Sequence, residues 1–236
     1  MKDAPAILML NGRPPARLLE RLRPGPGEGL ATLAEPLPVE EGPEGEAWKR
    51  PGLLVAADGG ANALWRAGLP AGLIVGDLDS LLEEARDWHL ARGAALVESH
   101  WQENNDLEKA LELLKTERCW VAGFEGGRLD MLLGLLAHLA PEHRPRLRLL
   151  GAEQILIPLA HGTHLFSATA EEPFSLLALG GNCELELRGA HWGGHLELEP
   201  GCRGVSNRAR GGPLEIALRR GALLLARRAP WAGAAW

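Results

Sequence analysis

Five aspartates in the first 130 residues lie in short loop signatures that could together perform phosphate chemistry. They are Asp58, Asp77, Asp79, Asp106 and Asp130. Each occurs where an apolar, strand-like run passes into a helical pattern. Because such junctions in a parallel α/β sheet all open at its carboxyl edge, we expect the five carboxylates to converge on one crevice. Mg²⁺ is usually held by one or two carboxylates together with substrate phosphates, so the pattern predicts a metal-dependent phosphate enzyme.

The loop Gly76-Asp77-Leu78-Asp79-Ser80 is the most specific of these signatures. Two carboxylates one residue apart can both face a cation, whereas a purely structural loop gains little from their repulsion. A turn that caps the next helix through Asp79 or Ser80 is the alternative interpretation. Asp106 has the same alternative, as the N-cap of its own helix.

Glycines accompany the first and last of the aspartates. Gly59 and Gly60 follow Asp58 and permit a close approach of the backbone to a ligand, although an ordinary tight turn would also explain them. Gly127 and Arg128, before a predicted helix, resemble a phosphate cradle, and a surface pair of Arg128 with Asp130 is the alternative. The sequence contains no Walker A or dinucleotide-binding glycine pattern, so metal and arginine would have to hold a phosphate.

The elements that would position these loops alternate between strand and helix. A short buried strand is expected at 6–10, and the segment 24–46, rich in Pro, Gly and Glu, is expected to be a loop or partly helical excursion. Strands then alternate with helices, which predicts an α/β domain with a mostly parallel, Rossmann-like sheet. The later strands are predicted at 53–57, 73–75, 94–97 and 120–124, and the helices at 62–67, 81–92, 106–117 and 129–139.

The pattern changes near Gly151, where short runs of alternating apolar and polar residues replace the helices. This predicts a C-terminal all-β domain, a small antiparallel sandwich or barrel. We therefore expect a catalytic domain over 1–150 and a second, β-sandwich domain over 151–236. Its strands are predicted at 154–159, 175–179, 183–187, 195–198, 214–218 and 221–226.

Composition restricts the class of protein further. The net charge of −6 and the lack of a basic face argue against a nucleic-acid partner. No apolar run approaches the ~20 residues of a membrane span, and no signal peptide is evident, so a cytoplasmic protein is expected. Three widely spaced cysteines form no Cys-x-x-Cys pair, and the His161/His164 and His191/His195 pairs lack a third ligand, which argues against disulfides and zinc.

Taken in order, the motifs closely resemble those of the thiamine pyrophosphokinase family. The matching catalytic motifs are 58–62, 76–80, Asn105-Asp106 with Glu108, and 127–130. In the second domain, 175–179, Gly189-Ala190-His191-Trp192 and 204–207 look like the thiamine-binding sandwich of the family. The resemblance implies transfer of the β,γ-diphosphate of ATP to the hydroxyl of thiamine, with release of AMP, by a homodimer whose active site lies at the subunit interface.

The same resemblance assigns roles to individual residues. Mg²⁺ would be held by Asp77, Asp79 and Asp106, while Asp58 and Asp130 complete the acidic pocket. Thiamine, an aromatic cation, would stack on Trp192 and hydrogen-bond to Ser206 and Asn207, although Trp192 could instead be a core residue. ATP would contact the cradle and nearby polar residues, namely Gly59, Gly60, Asn62, Gln102, Lys109, Gly127 and Arg128; on its helix, Lys109 could equally be a solvated surface charge.

The sequence departs from the family pattern at two places. Residues 101–105 read Trp-Gln-Glu-Asn-Asn where an acidic, Thr-rich run is usual, and Arg208 stands where Glu often follows Ser206-Asn207. Two alternative functions remain. One is a diphosphokinase that acts on another hydroxymethyl substrate such as a pterin, and the other is a non-catalytic module that senses nucleotide or thiamine.

Overall fold

The computed structural model describes residues 6–23, 53–99, 105–114, 119–139 and 147–232, which form two compact units. The first unit contains strands β1 to β5 and helices α1 to α4. In chain order these are β1 (Ala6–Met9), α1 (Ala16–Leu22), β2 (Leu53–Ala57), α2 (Gly60–Arg66), β3 (Leu73–Gly76), α3 (Glu83–Leu90), β4 (Ala95–Glu98), α4 (Asp106–Leu113) and β5 (Cys119–Ala122).

The sheet of the first unit has the strand order β4-β3-β2-β1-β5, and all of its pairings are parallel. Its central strands are apolar along their whole length because helices cover such sheets on both faces. Ile7, Leu8, Val55 and Trp120 are fully buried. The predicted parallel α/β architecture of this region is therefore confirmed.

Two elements, helix α5 (Leu129–Leu139) and strand β6 (Leu147–Leu150), contain residues of both units. The second unit contains the strands β7 (Gln154–Leu159), β8 (Gly162–Arg188), β9 (Gly194–Leu198) and β10 (Asn207–Arg228). The strand order is β7-β10-β8-β9. β10 pairs antiparallel with β7, as does β8 with β9. Paired residue numbers on β8 and β10 also run in opposite directions, from Asn207 opposite Phe174 to Leu218 opposite Gly162. The predicted all-β, antiparallel C-terminal region is confirmed.

The division of the C-terminal region into many short strands was wrong. The predicted strands at 175–179 and 183–187 are parts of β8, and those at 214–218 and 221–226 are parts of β10. Gly180 and Gly221 were taken as strand ends, but they have φ of 73° and 89° and bend the chain where the β8–β10 register shifts. Glu215 lies between Leu165 and Arg188, which belong to opposite ends of β8.

Other boundaries agree within a few residues. Strand β2, strand β7 and helix α5 have the predicted limits, whereas α1 and β6 were not predicted. The segment 24–46 lies outside the described residues. In the described part of the chain, no helix is both long and apolar enough to cross a membrane.

Candidate active site

Three of the five aspartates meet at the carboxyl edge of the parallel sheet. β2 and β3 are neighbours with Ala57 opposite Val75, so the loops that follow them begin at the same level. Asp58 comes directly after β2, and Asp77 and Asp79 come after β3. One carboxylate oxygen from each lies within 4.8 Å of the others. Within the described residues this is the one group of three His, Cys, Asp or Glu side chains with metal-site spacing.

Asp58 is the buried member of this acidic cluster. It is 4% exposed, and its Oδ1 atom has no hydrogen-bond partner. Burial raises the pKa of Asp58, with smaller contributions in the same direction from the charges of Asp106 and Asp79. The Gly59 backbone and the Ser80 hydroxyl partly oppose this increase in pKa. An unpartnered buried carboxylate oxygen is uncommon and requires an explanation.

The loop that carries Asp77 and Asp79 is fixed by Asn62. The Asn62 amide donates to the Ser80 carbonyl over 2.7 Å, and its oxygen accepts from the Leu82 backbone N–H at 3.0 Å. The Ser80 hydroxyl in turn donates to Asp79 over 2.9 Å. Asn62 was predicted to contact ATP. In the structure, both ends of its buried amide bind the loop, so it orients the carboxylates.

Asp106 lies in the first turn of α4, outside the 4.8 Å group. The N-cap of α4 is Asn105, whose side chain accepts from the Glu108 N–H while Glu108 accepts from the Asn105 N–H. The alternative in which Asp106 is the cap was therefore wrong. Asp106 pairs with the Lys109 ammonium over 3.1 Å. Lys109 is 8% exposed, which also excludes the solvated surface role for it.

Gly59 and Gly60 are required by contacts inside the protein. A Cβ on Gly60 would lie 2.1 Å from the Met9 carbonyl oxygen, and one on Gly59 would lie 2.5 Å from the Asn11 side chain. Their close backbone approach is thus to β1 and the loop after it. Asn11, at the carboxyl end of β1, was not among the predicted site residues, although its position after a buried strand is the same signal that identified Asp58.

Arg128 and Asp130 form the exposed pair that was the alternative to a phosphate cradle. Arg128 Nε and Nη2 donate to the two Asp130 oxygens over 3.1 and 2.5 Å. The side chains are 71% and 62% exposed. Hydrogen bonding to Arg128 lowers the pKa of Asp130. Gly127 precedes this pair and is also exposed, whereas Gln102 lies outside the described residues.

In the second unit, Trp192 is 64% exposed, so the alternative in which it belongs to the core was wrong. Ser206 is exposed and has φ of 64°, a left-handed conformation that is uncommon outside glycine. Its N–H donates to the Ser175 hydroxyl over 3.1 Å. Asn207 is buried beneath Trp192, where its amide contacts the Trp192 backbone. Trp192, Ser206 and Asn207 therefore lie in one region of this unit.

Comparison with known proteins assigns this combination of parallel sheet and acidic loops to a class. Residues 45–150 match the family described as thiamin pyrophosphokinase, catalytic domain. The matched segment includes the whole acidic cluster. The resemblance of this segment to the thiamin pyrophosphokinase family, which the sequence motifs predicted, is thus confirmed.

Several solved structures share the fold of this chain. Thiamine pyrophosphokinase from Bacillus subtilis is 18% identical, with a TM-score of 0.72 over 95% of this chain and 99% of that one. Thiamin pyrophosphokinase from Geobacillus thermodenitrificans is 19% identical, with a TM-score of 0.70 over 98% of both chains. The Candida albicans thiamin pyrophosphokinase is 16% identical, with a TM-score of 0.70 over 96% of this chain and 89% of that one. At these identities the likeness establishes the shared fold.

Proposed function

We propose that this protein is a Mg²⁺-dependent thiamine pyrophosphokinase. Thiamine would attack the β-phosphorus of ATP through its hydroxyl, the bond from that phosphorus to the AMP oxygen would break, and thiamine diphosphate, AMP and a proton would result. The observation that carries the proposal is the cluster of Asp58, Asp77 and Asp79 oxygens within 4.8 Å inside the family-matched segment.

The donor set of the acidic cluster fits a hard divalent cation. All three groups are carboxylates, and Mg²⁺ prefers oxygen ligands. The unpartnered Oδ1 of Asp58 supplies a buried oxygen with no competing donor. Asp77 and Asp79 would hold the ion as the sequence predicted, with Asp58 added to them and Asp106 nearby. When bound, the ion neutralises charge on the triphosphate, which is a large part of phosphoryl-transfer catalysis.

The remaining residues would orient the reactants. Asn62 keeps the Asp77–Asp79 loop in place, and Lys109 compensates the charge of Asp106. Arg128 would bind phosphate by exchanging its contact with Asp130 for one with ATP, since guanidinium pairs carboxylate and phosphate in the same bidentate way. In the second unit, the exposed Trp192 face suits an aromatic cation, and this interaction contributes roughly 0.5–2 kcal/mol.

Several finer features belong to the same proposal. They are a homodimer with the active site at the subunit interface, a cytoplasmic location, a domain boundary near residue 150, a Rossmann-like sheet in the first domain and a β-sandwich in the second. The match of residues 45–150 to the family, together with the motifs, supports ATP as the diphosphate donor and thiamine as the acceptor.

Product analysis tests the reaction directly. The purified chain is incubated with ATP, Mg²⁺ and thiamine, and phosphorus NMR and chromatography identify the products. We expect AMP and thiamine diphosphate in equal amounts, with no accumulation of ADP. Asp77→Asn is the metal-site control and should lose activity by orders of magnitude while it stays folded.

Three results would contradict the proposal. Formation of ADP would indicate transfer of a single phosphoryl group. AMP release with a hydroxymethylpterin but not with thiamine would indicate the related diphosphokinase. A folded protein that binds thiamine or ATP without any turnover would instead indicate the sensing module.

A further inference from the structure

Trp192 combines high exposure with a fixed backbone. The side chain is 64% exposed, yet both polar atoms of its backbone are hydrogen-bonded to one buried side chain. A large aromatic side chain on a surface turn is normally free to move with that turn. Here the turn is anchored from below, which is the arrangement expected of a preorganised binding face.

The anchor is Asn207, which is 7% exposed. Its Oδ1 accepts from the Trp192 N–H at 3.3 Å and from the Arg208 N–H at 2.8 Å. Its Nδ2 donates to the Trp192 carbonyl over 2.8 Å. An amide oxygen has two lone pairs, so the acceptor capacity of Asn207 is fully used inside the protein.

The residues on either side of these contacts are also connected. The His191 N–H donates to the Arg208 carbonyl over 2.9 Å, and the His191 ring contacts a Glu171 carboxylate oxygen at 2.7 Å. Arg208 Nη1 donates to the Glu171 carbonyl over 3.1 Å. Arg208, which stands where the family often has Glu, thus stabilises the turn that neighbours Trp192.

We propose that Asn207 is a positioning residue that sets the indole of Trp192 as a preformed stacking face. In this role Asn207 acts through Trp192, whereas the family resemblance implied a direct contact between Asn207 and thiamine. The identity of the stacked ligand as thiamine rests on the proposed function, whereas the anchoring of Trp192 does not.

The first test measures the anchoring without any ligand. Hydrogen–deuterium exchange is followed in peptides that contain the Trp192 amide, in the wild type and in Asn207→Ala. Loss of the hydrogen bond from the Trp192 N–H should speed exchange of that amide roughly tenfold, since a net hydrogen bond is worth about one factor of ten in an equilibrium. Arg188→Ala, which removes only an exposed 3.3 Å contact with Glu215, is the matched control and should leave that exchange unchanged.

If the alanine variant does not fold, Asn207→Asp tests the same anchoring. It retains the acceptor for the Trp192 and Arg208 N–H groups and replaces only the donor to the Trp192 carbonyl. Exchange at Trp192 should again increase, because the second carboxylate oxygen repels the Trp192 carbonyl that Nδ2 of Asn207 held in place. Unchanged exchange in a folded Asn207 variant would overturn the proposal.

The second test uses a mutant cycle on thiamine kinetics. Asn207→Ala should raise the KM for thiamine roughly tenfold with little change in the KM for ATP, and should add little in a Trp192→Ala background because both changes remove one coupled unit. An equal effect of Asn207→Ala with and without Trp192 would mean a direct ligand contact and would overturn the positioning role. If the wild type does not use thiamine, the proposed function fails and the exchange experiment alone decides the anchoring.

Discussion

Replacing Asp58 with asparagine should stabilise the metal-free protein while it removes the cation site. Three carboxylates lie within 4.8 Å of one another, and Asp58 is the buried one. Two unit charges at that separation repel by roughly 3 kcal/mol at an effective dielectric constant of about 20. Asp77 is partly exposed and Asp79 is exposed, so water screens both interactions. We therefore expect a net gain of about 1–2 kcal/mol.

The stabilisation expected for Asp58→Asn agrees with the direction in which folding shifts the pKa of Asp58. A carboxyl whose pKa is raised by folding binds protons more tightly in the folded state, so its ionisation above the ordinary value of 3.8 disfavours folding. Asparagine has nearly the same shape, cannot ionise and tolerates the left-handed backbone, with φ of 43°, that Asp58 adopts. The stabilisation should therefore be present at neutral pH and should shrink as the pH falls toward 3.8.

Thermal unfolding in EDTA measures this effect. For a chain of this size, about 1–2 kcal/mol corresponds to an increase in Tm of roughly 2–8 °C. Adding Mg²⁺ and ATP should reverse the order, because the wild type gains binding free energy and Asp58→Asn gains far less. Asp87→Asn, which alters an exposed carboxylate paired with Arg86, is the control and should not raise Tm. A metal-free Asp58→Asn protein that melts below the wild type would refute the reasoning.

Three further changes test the supports of the site. His89 is fully buried, accepts a hydrogen bond from the Ala71 N–H and contacts the Ala61 carbonyl. Because burial lowers the pKa of His89, the free energy of unfolding should fall as the pH drops below 6.5. Urea titrations should show a smaller loss in His89→Gln. Gly60→Ala should lower the free energy of unfolding by several kcal/mol because its Cβ meets the Met9 carbonyl, whereas Gly134→Ala, with open space around it, should be neutral or stabilising in the same melts. Asn105→Ala should lower the free energy of unfolding by about 1 kcal/mol through loss of the α4 cap. A much smaller decrease would mean that the capping box does not stabilise α4.

The acidic loops were predictable because their residue types and the sheet topology both indicate one site at the carboxyl edge of the sheet. A parallel sheet places all strand-to-helix loops at one edge, so Asp58, Asp77 and Asp79 could be placed together from the alternation of strands and helices alone. The sequence could not separate them from Asp106 and Asp130, because the distance between carboxylates depends on the loop conformation. The sequence also could not decide which residue caps α4, because Asn105 and Asp106 are both of types that are favoured at the N-cap.

The C-terminal strands were harder to delimit. Glycine ends a strand in one context and bends it in another, and only the partner strand decides between them. At Gly180 and Gly221 the partner is present, so the ladder resumes after a shift in register. The exposure of Trp192 could not be read from its sequence either, because a tryptophan beside glycines fits a core corner or a surface turn equally well.

The backbone of the acidic cluster adopts conformations that lower the stability of the fold, which is common at functional sites. Asp58 and Leu78 have φ of 43° and 65°, a left-handed region that is uncommon outside glycine, more so for leucine than for aspartate. Sparsely populated conformations of this kind cost on the order of 1–3 kcal/mol each, a substantial part of a typical folding free energy. In return, the buried Asp58 Oδ1 is left without a hydrogen bond beside two further carboxylates. Strain, burial and like-charge repulsion all oppose folding here, and a bound cation would offset the last two together. This is why the gain in stability of metal-free Asp58→Asn, and its reversal by Mg²⁺ with ATP, is the most direct measure of the role of the cluster.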